Sequence, residues 1–98
     1  MYVGTCRLIL RIPASQSLKD KRQVVRSLLS RLRNQFDVAA AEVGDQELRQ
    51  RSLLGLAYVS ANAGHAEEVI QHALGYIETT RLDCEITSAQ IEVIRIDD

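Results

Sequence analysis

Lys19, Arg22, Arg26 and Arg33 recur at spacings of 3, 4 and 7 within the stretch from Ser17 to Phe36, SLKDKRQVVRSLLSRLRNQF. At the helical step of about 100° per residue these four cations form one stripe. A line of ammonium and guanidinium groups is the electrostatic basis of sequence-independent binding to a polyanion, and the partner it points to is RNA or the ribosome. Lys21 and Arg31 fall elsewhere on the circumference and widen the charged surface. Ser15 precedes the stretch and Ser17 opens it, so the start of the helix, with Lys19 and Arg22 in its first turns, reads as an anion site for an RNA backbone. The competing reading is a solvated helix face whose cations pair with carboxylates of neighbouring elements.

Other chemistry is thinly represented. His65 and His72 lie seven apart with Glu68 between them, a zinc-capable set in principle. They read instead as a histidine at a helix start and a lone exposed one, so no metal is expected. The loop Gly44-Asp45-Gln46-Glu47 lacks the spacing of a calcium loop. Glu42, a lone carboxylate on a strand, reads as structural, paired with a strand arginine. There is no GxGxxG, no GxxxxGK[ST] and no HExxH. Cys6 and Cys84 have no ligand spacing and read as free thiols of a reducing cytoplasm. The expectation is therefore a non-enzymatic chain with no catalytic residues and no cofactor.

The elements that position the stripe can be read from periodicity. Leu18, Val25, Leu28, Leu29, Leu32 and Phe36 share one helical face, and Ser17 with Asp20 three residues on fits a capping box at its start. Tyr2 to Ile12 alternates, with Gly4, Cys6, Leu8, Leu10 and Ile12 against Val3, Thr5, Arg7, Ile9 and Arg11, and Pro13 ends this first strand. Val38 to Val43 is bracketed by Asp37 and Gly44 and is too short for a stable helix, so it is a second strand. Arg51 to Ala61 is a third, with apolar residues on both faces. Ala66, Val69, Ile70, Ala73, Leu74 and Ile77 follow a helical period, with Glu67 and Glu68 in the first turn. Glu85 to Ile96 is the last strand.

The order β-α-β-β-α-β predicts an α+β, ferredoxin-like domain over residues 1–98, with strand order 4-1-3-2 and both helices on one side of an antiparallel sheet. The far side of the sheet is then open. Val3, Ile9, Leu54, Leu56, Tyr58 and Ile94 are expected there, and an apolar patch of that kind marks an interface. Tyr58 is the one aromatic available to stack a base, so a homodimer built on Ile9, Leu54, Leu56 and Tyr58 is the stronger expectation for this face.

With 46% hydrophobic and 26% charged residues, 98 residues suffice for a single core and exclude a disordered chain. The net charge of −1 hides a division: residues 1–34 carry eight Lys/Arg against Asp20 alone, and residues 35–98 carry four Arg against twelve Asp/Glu. Such asymmetry suits an acidic partner. The strand-like start, interrupted by Arg7 and Arg11, is not that of a signal peptide. No apolar run approaches the roughly 20 residues of a membrane span, so a cytoplasmic location without membrane contact is expected.

The segments RIPASQSLKDKRQVVRSLLSRLRNQFDVAAAEV, QELRQRSLLGLAYVS and HAEEVI resemble the YlxP-like family of small bacterial proteins over nearly the whole chain. The resemblance implies a domain of unknown function with a ferredoxin-like fold. It also implies a link to translation, since genes of the family often lie near those of translation initiation factor two and ribosome-binding factor A. The family commonly carries tryptophan where this chain has Arg49.

Overall fold

Alternation along residues 2–11 buries every second side chain, Cys6, Leu8 and Leu10 among them, and leaves Arg7 and Arg11 exposed. The computed structural model describes residues 1–97. In it that stretch is β1 (Tyr2–Arg11), followed by α1 (Leu18–Phe36), β2 (Ala39–Gly44), β3 (Arg51–Ser60), α2 (Ala63–Thr80) and β4 (Glu85–Arg95). The strands form one antiparallel sheet in the order β2-β3-β1-β4, the expected order read from its other edge. Both helices pack into the one core cluster against the same sheet face, which makes the architecture ferredoxin-like α+β.

Both helices are specified at their ends. The Ser17 side chain accepts from the Asp20 N–H at 3.0 Å, and the Asp20 carboxylate accepts from the Gln16 N–H, one residue before the usual position of a capping box. Asp37 closes α1 in a left-handed conformation, φ 54°, with its N–H on the Arg33 carbonyl. Asn62 caps α2 through His65 N–H, so α2 begins at Ala63 and Glu67 and Glu68 fall in its second turn, not its first.

The core layer is filled by Val25, Leu28, Leu29 and Leu32 of α1 and by Ala66, Ile70, Ala73, Leu74 and Ile77 of α2. Phe36 seals its edge, packed edge-on to Tyr76 with ring centroids 5.8 Å apart. Beneath α2, β1 comes so close that a Cβ at Gly4 would lie 3.0 Å from the Ala66 carbonyl oxygen. Backbone gives way less easily than a side chain, so any larger residue there must push β1 and α2 apart by a few tenths of an ångström.

One expectation about the sheet is overturned. Leu54 and Leu56 do not face outward: they are 0% and 3% exposed, opposite Leu8 and Cys6, inside the layer between sheet and helices. Tyr58 lies on the same side, half-buried against the core, with its hydroxyl 3.3 Å from His65 Nε2. The reason is that β3 is apolar on both faces. Alternation fixes which residues travel together, and volume decides which set turns inward. Two leucines fill the layer under the helices, whereas Gly55 and Ala57 would leave it hollow. Gly55 instead lies on the outer face, where a Cβ would come within 3.3 Å of Val43. Ile9 is on the open face as expected, with Val3, Leu53, Val59 and Ile94. Extra residues at Val43 and Thr87 shift the register of β2 and β4. The second shift lets both Ile86 and Ile91 pack on the core.

Candidate functional site

The α1 cations separate into three kinds once the fold is in place. Lys19, Arg22 and Arg26 are exposed, and among the described residues none has a carboxylate within 4 Å. Seven helical steps, from Lys19 to Arg26, spread them along about 10 Å. Arg22 and Arg26 line one wall of a groove of about 300 Å³ whose opposite wall is Glu42, Gln46 and Glu47, with Val25 and Leu29 at its base.

Arg33, at the far end of the stripe, is already engaged. Its Nε and Nη2 both donate to the Ala40 carbonyl, at 3.1 and 2.5 Å, which ties the end of α1 to β2. The helical spacing that groups it with the other three is real, but the left-handed turn at Asp37 brings β2 back beneath it. The free stripe therefore has three members.

Lys21 is the larger departure. It is fully buried, and its Nζ lies 3.0 Å from Glu42 Oε2 and 2.7, 3.2 and 3.2 Å from the carbonyl oxygens of Asp45, Gln46 and Arg51. Three N–H groups shared over four oxygens compensate an ammonium withdrawn from water. Glu42 also accepts from the buried Ser52 hydroxyl at 2.5 Å. The strand arginine expected as the partner of Glu42 is thus a helix lysine, and Lys21 adds nothing to the outer surface. What it does is hold the β2–β3 loop against α1, so that Gln46 and Glu47 form the second wall beside Arg22 and Arg26.

Residues 3–91 match the model of a protein family described as "Protein of unknown function (DUF503)". The chain belongs to the DUF503 family. A similar protein is "Uncharacterized protein YlxP" of Bacillus subtilis (strain 168), 38% identical over 63 residues, which are 64% of this chain and 68% of that protein. The family resemblance carried by SLKDKR and its neighbours is borne out. The DUF503 match runs from β1 into β4, so the stripe, the Lys21 anchor and the loop it holds all lie inside the family's region.

Elsewhere in this DUF503 chain both thiols are withdrawn and several charged side chains are occupied. Cys6 and Cys84 are buried free thiols. Burial, and then the Asp83 charge, push the Cys84 thiol up to about 11, and burial raises Cys6 as well, so neither is a thiolate nucleophile near neutrality. Arg81 holds Asp83 through two hydrogen bonds of 2.9 and 2.7 Å, which keep that carboxyl below its ordinary range. His65 packs edge-on against Tyr58, and His72 is exposed on α2. Among the described residues no three metal-ligating side chains converge. No helix among them is long and apolar enough to cross a membrane.

Sequence reading missed the Lys21 anchor because an exposed and a buried lysine are written alike. A signal was present: Lys21 lies three residues from Leu18 and four from Val25, the helical spacing of the buried face itself.

Proposed function

We propose that this chain is a small non-enzymatic module that binds single-stranded or loop RNA, ribosomal RNA included, through Lys19, Arg22 and Arg26. The observation that carries the reading is their lack of internal partners. Lys21, Arg51, Arg81 and Arg95 each hold a carboxylate within 4 Å, although acidic residues slightly outnumber basic ones in the chain. Three cations left unpaired side by side are poised for an external anion. The link to translation implied by the family resemblance points the same way.

Counterion release sets the test. Three phosphate contacts give a fall of log K with log salt at a slope of about −2 for single strands. Arg26→Ala flattens that slope by about 0.7 and weakens every RNA sequence alike, because phosphate contacts carry no base information. The measurement is equilibrium binding of ribosomal RNA fragments across a salt series. An Arg22→Glu/Arg26→Glu protein that binds as well as the original removes this reading.

A second reading, pairing of two copies through the open sheet face, is favoured by one observation. Val59, Val3 and Ile94 form a row across β3, β1 and β4, and Val59 and Ile94 are 60% and 45% exposed. Beside the row, Arg7 and Glu92 share the face without pairing to each other. A two-fold contact places each Arg7 against the Glu92 of the other copy. Sedimentation velocity at tens of micromolar decides this: a monomer there removes it.

A further inference from the structure

A second, larger cavity of about 750 Å³ opens at the end of the sheet, between the β1–α1 connection, the β2–β3 loop and the start of β4. Its lining combines Ile9 and a half-exposed Leu48 with three arginines, Arg11, Arg49 and Arg51. Their placement runs against ordinary strand electrostatics. Arg11 and Arg51 are register partners on adjacent strands, and like charges directly opposite destabilise an antiparallel pair. Asp45 compensates Arg51, 2.7 Å from its Nε, but among the described residues Arg11 and Arg49 have no carboxylate within 4 Å.

The walls are built and fixed. The Gln50 side chain donates to the carbonyls of Pro13 and Ser15, and the Gln50 backbone carbonyl accepts from Ile12 N–H at 2.8 Å. The carbonyls of Asp45 and Arg51 are held in turn by Lys21. Cationic donors without an internal acceptor, beside apolar surface in a preformed cavity of ligand size, describe a site for an anion that carries a flat or apolar body. Glu47, also in the lining, offers an acceptor for hydroxyl groups.

We propose that this cavity binds a nucleoside monophosphate group. Arg11 and Arg49 take the phosphate, Ile9 and Leu48 lie against the base, and Glu47 accepts from the ribose hydroxyls. The group arrives either as a free nucleotide or as the 5′-terminal nucleotide of an RNA. The site does not depend on the α1 stripe, and its test is separable from that of the stripe. Isothermal titration with the four nucleoside 5′-monophosphates, the parent nucleosides and inorganic phosphate is the direct measurement. At least one monophosphate binds with Kd below about 1 mM, and its nucleoside and inorganic phosphate bind at least about tenfold more weakly. Arg11→Ala and Arg49→Ala each weaken binding about tenfold or more, the loss of a charge-assisted hydrogen bond. Arg49 is in a loop, so its variant keeps the parent melting temperature. Arg22→Glu/Arg26→Glu, which tests the stripe, leaves nucleotide affinity unchanged. In that background, tenfold preference for a 5′-phosphorylated over a 5′-hydroxyl oligonucleotide assigns the site to an RNA end. Binding of the free monophosphate without that preference assigns it to a free nucleotide. Failure of all four monophosphates at about 5 mM, equal binding of inorganic phosphate, or undiminished binding by Arg49→Ala overturns the proposal.

Discussion

Lys19 and Lys21 are two residues apart on one helix and are physically different groups. Lys19 stands in water, where an ion pair or its loss changes stability little. Lys21 is enclosed by four oxygens, one of them the carboxylate of Glu42. Removing the ammonium strands that carboxylate and three carbonyls, so Lys21→Met costs about 3–5 kcal/mol, the range for breaking a buried pair. Lys19→Met stays within about 0.5 kcal/mol. Urea denaturation of both variants checks the contrast. The thiols make a second prediction at this scale. Cys84 is raised to about 11 in the folded chain, so the folded state keeps its proton after the unfolded chain has lost it. Its contribution to stability is complete below the ordinary thiol range and disappears as pH rises from there through about 11. Stability of the parent therefore falls more steeply over that window than stability of Cys84→Ala. Denaturant midpoints at stepped alkaline pH measure the difference.

At the scale of elements, the helices and strands were legible because each had one polar and one apolar side or a specified end. Ser17 and Asn62 cap as their side chains dictate, and the alternation of β1 sorts its buried and exposed sets correctly. β3 was legible as a strand but not as to its facing, since Leu54 and Leu56 compete with Leu53 and Val59 on nearly equal hydrophobic terms. Only the space beneath the helices separates them, and that is a property of three elements together. The candidate site was legible to the same depth: the helical spacing of its cations was plain, but the partners of Lys21 and Arg33 come from β2 and the loop that follows it. The corrected facing has a direct consequence. Leu56→Glu places a carboxylate inside the core and yields unfolded or aggregated protein, whereas Ile94→Glu, on the open face, folds with a far-ultraviolet circular dichroism spectrum like the parent's. A folded Leu56→Glu protein contradicts the placement of β3.

For the whole molecule, near-neutral net charge and strongly divided charge coexist. Sign alone makes a chain of −1 indifferent to an anionic matrix near neutrality. Division collects Lys19, Arg22 and Arg26 on one exposed stripe of α1, with Glu42 and Glu47 across the groove from it, so a polyanion meets cations there. Heparin-agarose therefore retains the protein at low salt, and Arg22→Glu/Arg26→Glu elutes without retention; equal elution of the two contradicts this view of the surface. The sheet order carries a different consequence, one of timing. β1 is central, yet its neighbours are β3 and β4, so even its shortest pairing, Arg11 with Arg51, closes over all of α1 and β2. The strand made first is the last to have both of its sides covered. At synthesis rates of about 5–20 residues per second, β1 waits about 4–15 s between its own appearance and that of β4. For that interval Leu8, Leu10 and Ile12 have no finished core to enter, and a nascent chain must be kept from its neighbours until the final strand arrives.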